Sequence, residues 1–178
     1  MDTDEQTSER LLRLLEPLHH QAVLTARRLS RSRADGDDLF QDAVLRAFDR
    51  LGTLREEARF RSWFFAILLR LHRQRHRRDF WRRLLPLDQV AEPAVEPAFA
   101  DEGAQRMARA LATLNAKERE ALVLSDLSEF RLDEIAALQG DSLAAIKSRV
   151  VRARARLRAR YLRDAAARGP LALKEELP

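Results

Sequence analysis

Apolar residues recur along this chain at helical rather than strand spacing. Over Asp35–Leu51, "DGDDLFQDAVLRAFDRL", the residues Phe40, Val44, Ala47, Phe48 and Leu51 fall three or four positions apart and predict one buried helix stripe. Asp35 and Gly36 suit the start of that helix, because a carboxylate there faces unpaired amides and the positive end of the helix dipole. The opposite stripe, Asp38, Gln41, Asp42, Leu45 and Asp49, is acidic with one apolar residue embedded, and reads either as a solvated face or as a docking surface for a basic partner. A second helix is predicted from about Ala58, with Phe60, Phe64, Ile67, Leu68 and Leu71 on one side and Trp63 and Phe65 enlarging the apolar surface.

The same spacing returns nearer the C-terminus. A helix is predicted from Ala104 to Leu114; Asn115 with Glu118 then forms a capping-box pattern ahead of a helix whose inner face is Leu122, Val123 and Leu127. Leu132, Ile135, Ala136 and Leu138 make a short helix, Gly140 a turn, and Ser142 a cap for a last helix buried along Ile146, Val150, Ala153 and Leu157. A helix, a Gly-containing turn and a second helix is the helix-turn-helix arrangement of DNA-binding domains.

Composition agrees with an all-α chain: aromatics are 6%, with Gly 5 and Pro 6, while Ala, Leu and Arg recur throughout its 178 residues. The net charge of +5 is modest, and its distribution is what matters. Cations crowd two blocks, Arg70, Arg73, Arg75, Arg77, Arg78, Arg82 and Arg83 against Asp79, and Lys147 to Arg163 with no acid at all. Between them "LLPLDQVAEPAVEPAFADEGAQ" carries only acids and three prolines, which remove amide donors and disfavour helix. The expected organisation is two small helical domains, 8–84 and 104–164, joined by an extended acidic linker, 85–103, with a tail at 165–178.

Charge and aromatics narrow the chemistry. In "HRQRHRRDFWRR" the cations are interleaved with Phe80 and Trp81, which either cap the small core or offer stacking faces to unpaired bases. His72 and His76 stand four apart without a third ligand near them in sequence, so no metal site is expected. The last helix sets Arg152 with Arg156, Arg154 with Arg158 and Arg156 with Arg160, like-charge pairs that cost a few tenths of a kcal/mol each and that a polyanion would relieve. Neutralising about six phosphates would make affinity fall on the order of 10³-fold between ~50 and ~200 mM salt. Base reading would fall to the first turns of that helix: Ala144, Ala145, Lys147, Ser148 and Arg149. Without cysteine there is no disulfide or thiolate site, and no apolar run is long enough to insert in a membrane, so a cytoplasmic protein is expected. No Gly-rich phosphate loop, catalytic triad or cofactor motif is apparent, so no enzyme and no cofactor is expected.

Taken in order, these segments resemble the extracytoplasmic-function type of bacterial RNA polymerase sigma factors, within the sigma-70 superfamily. "DDLFQDAVLRAF" is similar to their region 2.2, "FRSWFFAIL" to region 2.3 and "EIAALQGDSLAAIKSRVVRARARL" to region 4.2, across roughly residues 10–163. The resemblance implies that Asp38, Leu39, Gln41, Asp42 and Leu45 face the β′ clamp coiled coil of core RNA polymerase, with the β subunit as a further contact. It implies that Arg61, Trp63, Arg70, Arg73, Arg77 and Arg78 meet the melted minus-ten element of promoter DNA. Ser142, Ala144, Ala145, Lys147, Ser148, Arg149 and Arg152 would meet the minus-thirty-five element, and an anti-sigma factor is a further partner to expect. The chain departs from the family pattern at Arg70, usually Asn, and Gln74, usually Asp; at Gln139 and Asp141, usually apolar; and at Ala145, usually Thr. Two other functions fit the same faces: a sigma-like protein that sequesters an anti-sigma regulator, and a dimeric repressor on a palindromic site.

Overall fold

The computed structural model describes residues 2–84 and 102–168. These hold eight α-helices and no strand: α1 (Asp2–Leu15), α2 (His19–Leu29), α3 (Arg33–Arg50), α4 (Phe60–Leu84), α5 (Glu102–Leu111), α6 (Ala116–Asp126), α7 (Leu132–Gln139) and α8 (Leu143–Arg168). The chain divides into two compact units, residues 1–100 and 101–178. Most of the expected acidic linker and the end of the expected tail lie outside the described residues, as do the side chains of Phe80 and Trp81.

In the first unit α2 and α4 pack on α3. The α3 helix opens earlier than expected: Ser32 is its cap, and its hydroxyl accepts from the Asp35 amide at 3.0 Å. Gly36 is therefore inside the helix rather than ahead of it, and the reason is packing, since a Cβ there would lie 2.5 Å from the Arg27 Cα of α2. The buried stripe of α3 is Gly36, Leu39, Ala43 and Ala47, continued by Leu51, and it faces Ala22 and Ala26 of α2. The expected stripe was turned toward Phe40, Val44 and Phe48, which the structure leaves only half-buried at its margin. Small residues take the centre because they let two backbones approach closely, while Phe64, Phe65, Leu68 and Leu69 of α4 fill the remaining volume. Fully burying each of these large side chains is worth about 1.5–3 kcal/mol.

The second unit is a helix-turn-helix on a supporting helix. The α6 capping box is present in full: the Glu118 amide donates to Asn115 Oδ1 at 2.9 Å, and the Asn115 amide donates to Glu118 Oε2 at 3.3 Å. Asn115→Ala is expected to lower the unfolding free energy of this unit by about 1 kcal/mol in denaturant titration, the usual cost of a lost cap. Gly140 ends α7 in the left-handed conformation, φ 67°, and Asp141 donates back to the Ala136 carbonyl at 3.1 Å. Ser142 caps α8 by accepting from the Ala145 amide at 3.2 Å. The inner face of α6 is Ala121, Leu122, Val123 and Leu124; Leu127, expected inside, is exposed, and α7 buries Gln139 along with Ile135 and Ala136.

Candidate functional site

The first candidate surface is the outer face of α3. Asp38, Gln41, Asp42 and Leu45 are all exposed, with Leu45 at 66% standing apolar among the acids. Leu39 does not join them: it is wholly buried, because positions 39, 43 and 47 point at α2 and α4 while 38, 42, 45 and 49 point away. It can fix the helix from beneath but offers no surface. The Arg75 guanidinium of α4 reaches Asp42 at 2.5 Å and the Asp35 carbonyl at 3.2 Å, which ties the acidic face to the cationic helix beside it.

On α4, Arg70, Arg73, Arg77 and Arg78 are exposed, and the first three follow a spacing that puts them on one side. Arg61 and Trp63 are half-buried at its start, with the Trp63 ring tilted over Phe60 at 5.8 Å. They border a feature that periodicity did not indicate. Thr53, Leu54, Arg55, Glu56, Arg59, Ser62 and Trp63 line a cleft of about 610 Å³ between the α3–α4 connection and the first turn of α4. Arg55 and Arg59 ahead of Trp63 are its only sequence signal, because the walls come from a segment without periodic pattern. Glu57 anchors this connection to α1, accepting from Arg10 at 2.8 Å and Arg13 at 3.2 Å. The Arg10 hydrogen bond, aided by the charges of both arginines, holds the Glu57 carboxyl below the ordinary carboxylate range. His72 is buried and His76 exposed, their rings 6.2 Å apart, and among the described residues no three potential metal ligands gather.

The third surface is α8, where the like-charge argument needs correction. Two of its arginines answer carboxylates of the same unit that lie far away in sequence: Arg154 meets Asp126 at 2.7 Å, and Arg156 meets the buried Glu118 at 2.6 Å. Arg160 meets Asp164 at 3.1 Å and Arg149 meets Asp141 at 2.9 Å. Much of the repulsion that suggested a polyanion is therefore relieved internally, and the solvent-exposed pairs among these add only about 0–1 kcal/mol each to stability. Ala144, Lys147, Ser148 and Arg152 are exposed in the first turns of α8, Ser148 accepting a hydrogen bond from Arg152, while Ala145 is half-buried. The Arg149 side chain is only 12% exposed.

Two carboxyls on this network sit below their ordinary range. For Asp126, desolvation pushes upward, and the hydrogen bonds from Arg154 and Ser125 outweigh it. For Asp141, the hydrogen bonds from Lys117 and then Arg149 lower it. Carboxyls depressed in the folded state stabilise it above their unfolded value, about 4, and that contribution is lost as pH falls through the lower folded value. Hydrogen-exchange protection of α8 amides is expected to fall on acidification below about pH 4, and less so in Asp141→Asn, which has already lost one of the two ties.

Comparison with known proteins follows the same division. Residues 14–82 match the family model Sigma-70 region 2, and residues 104–157 match Sigma-70, region 4. ECF RNA polymerase sigma factor SigM of Mycobacterium tuberculosis is 34% identical over 139 residues, covering 78% of this chain and 70% of that protein. ECF RNA polymerase sigma factor EcfG of Rhodopseudomonas palustris is 30% identical over 136 residues, covering 73% of each chain. Among solved structures, the sigma factor RpoE in complex with the anti-sigma factor NepR, from Bartonella quintana, aligns with a TM-score of 0.64 at 29% identity, covering 88% of this chain and 97% of that one. CnrH in complex with the cytosolic domain of CnrY aligns with a TM-score of 0.64 at 28% identity, covering 91% and 95%.

Proposed function

We propose a division of labour between the two units of this chain, which belongs to the sigma-70 family of RNA polymerase sigma factors and is of the extracytoplasmic-function type. A sigma factor binds core RNA polymerase and directs promoter-specific initiation of transcription. In our reading residues 8–84 hold the polymerase and the minus-ten element, residues 104–164 hold the minus-thirty-five element, and 85–103 connect them. Asp38, Gln41, Asp42 and Leu45 form the surface for the β′ clamp coiled coil, with Leu39 supporting it from the core, and the β subunit is a further contact.

The minus-ten strand, once unpaired, runs along Arg70, Arg73, Arg77 and Arg78 toward Arg61 and Trp63. The cleft beside Trp63 takes one unstacked base, since a guanidinium at its rim neutralises phosphate while an aromatic wall offers a stacking face. In the second unit Ala144, Lys147, Ser148 and Arg152 stand on the groove-facing first turns of α8, flanked by Ala145, with Ser142 at the cap. The chain supplies no catalytic group of its own; phosphoryl transfer belongs to the polymerase, and the protein works in the cytoplasm beside it. The observation that carries this reading is that one unit presents an acidic, leucine-bearing face on α3 and a cationic face on α4, tied by Arg75 and Asp42. Because one solved neighbour is a sigma factor bound to the anti-sigma factor NepR, and the other is CnrH bound to the cytosolic domain of CnrY, an anti-sigma partner for this chain is part of the proposal.

The test is reconstitution with core polymerase and transcription of genomic fragments. Promoter-specific transcripts that vanish when the chain is left out are the expected result. Assembly without any transcript at low salt would instead favour the sequestering role.

A further inference from the structure

Gln139 and Asp141, two turn positions where the resemblance leads one to expect apolar residues, lie in one hydrogen-bonded group. Gln139, at the end of α7, is buried, and every polar atom of its amide is engaged: Nε2 donates to the Lys117 carbonyl at 3.2 Å and to Glu120 Oε2 at 3.3 Å, and Oε1 accepts from Arg149. The same Arg149 nitrogen donates to Asp141 Oδ2 at 2.9 Å, and Lys117 reaches that oxygen at 3.1 Å. Thus α6, α7, the turn and α8 are joined through one guanidinium, and its side chain is 12% exposed. Swinging Arg149 out toward a base would strip a hydrogen bond from the buried Gln139 and leave Asp141 to Lys117 alone. A buried polar group that loses its partner costs more than the bond gained in forming it, so the withdrawn position is favoured.

We infer that Gln139 and Asp141 form a polar clasp that makes Arg149 a positioning residue, which sets the angle of α8 against α6 and α7, and leaves base reading at the minus-thirty-five element to Lys147, Ser148 and Arg152. The inference rests on the reading that α8 enters the major groove there. It reassigns Arg149, which its place in the first turns had marked for base contact. The exposed neighbours fit this division: Ser148 and Arg152 stand one turn apart and are hydrogen-bonded to each other, and Lys147, next to Ser148, is exposed as well.

The experiment uses holoenzyme reconstituted from core polymerase and full-length variants, bound to a promoter and to a set with single base-pair changes across the minus-thirty-five element, over a range of salt. Arg149→Ala is expected to weaken binding to every member by the same factor, about tenfold, with the base preference and the salt slope unchanged, whereas Lys147→Ala lowers the slope by about 0.9, the loss of one phosphate or base-edge cation. The double change Gln139→Leu with Asp141→Val frees the guanidinium, and a new or shifted preference at one base pair is expected, with a salt slope steeper by about 0.9. If Arg149→Ala fails to fold, the conservative Arg149→Lys takes its place, again with unchanged base preference expected. Relaxed preference at a single base pair with a shallower slope on altering Arg149 overturns the inference, and so does a double variant whose preference matches the wild type. A scrambled minus-thirty-five element bound as tightly as the intact one by the wild-type holoenzyme would instead remove the groove reading itself, and the clasp's role with it.

Discussion

Replacing Gly36 with alanine is expected to destabilise the N-terminal unit by about 3 kcal/mol, near the upper end of what overpacking costs. Alanine is the better helix former by about 1 kcal/mol, so propensity alone predicts the opposite sign. The added methyl decides the matter, since it would lie 2.5 Å from the Arg27 Cα and 2.8 Å from its nitrogen, atoms of a backbone that cannot rotate aside. Only a separation of α2 from α3 relieves the contact, and that opens the alanine-lined seam around Ala22, Ala26, Ala43 and Ala47, all of them fully buried. Denaturant titration followed by tryptophan fluorescence isolates this unit, because the chain's two tryptophans, Trp63 and Trp81, both belong to its N-terminal half. Gly52→Ala is the control: nothing lies within 4 Å of a Cβ there, so its stability is expected to stay within about 0.5 kcal/mol of the parent. Equal stability of the two variants would mean that α2 and α3 do not approach as closely as described.

Charge reversal of the α3 face, Asp38→Lys with Asp42→Lys, is expected to weaken assembly with core polymerase by about 100-fold or more, because like charges brought together at an interface cost several kcal/mol. Folding should survive. Both side chains are exposed, and among the described residues the ion pair lost, Asp42 with Arg75 at 2.5 Å, is of the half-exposed kind worth about 0–1 kcal/mol. Competition against a labelled sigma factor for limiting core enzyme measures the effect, and thermal unfolding of the free variant checks its integrity. Assembly at wild-type affinity by a folded variant would remove the α3 face from the polymerase interface. Leu45→Ala separates the apolar contribution from the charge, since Leu45 is exposed and makes no demand on the core.

Much of the architecture was legible because the interactions that encode it are local. The Asn115 and Glu118 capping box, the left-handed Gly140 and the Ser142 cap each act within about four residues, so residue type and spacing suffice to place them. Helix type was equally legible from apolar spacing. Which face of α3 is innermost was not: periodicity gives weight to large side chains and so favoured Phe40, Val44 and Phe48, whereas the closest neighbour, α2, selects Leu39, Ala43 and Ala47 with Gly36. The same one-position rotation moved Leu39 from the expected polymerase face into the core.

The charge pattern of α8 failed as an argument for a similar reason. Counting like charges along one helix is a local operation, and two of the compensating carboxylates are distant, Asp126 being 28 and Glu118 38 residues from their arginines. The cleft beside Trp63 and the clasp around Arg149 are likewise assembled from segments that no periodic pattern joins.

By itself, the order of residues determined that this chain is helical, where its helices cap and turn, and which family it resembles, because hydrogen bonds and apolar spacing within a few residues carry that information. Only the tertiary structure decided which cations remain available to a ligand and which apolar positions are interior. Those outcomes depend on how closely two backbones approach and on which distant carboxylate an arginine meets, and neither distance is encoded by any short stretch of sequence.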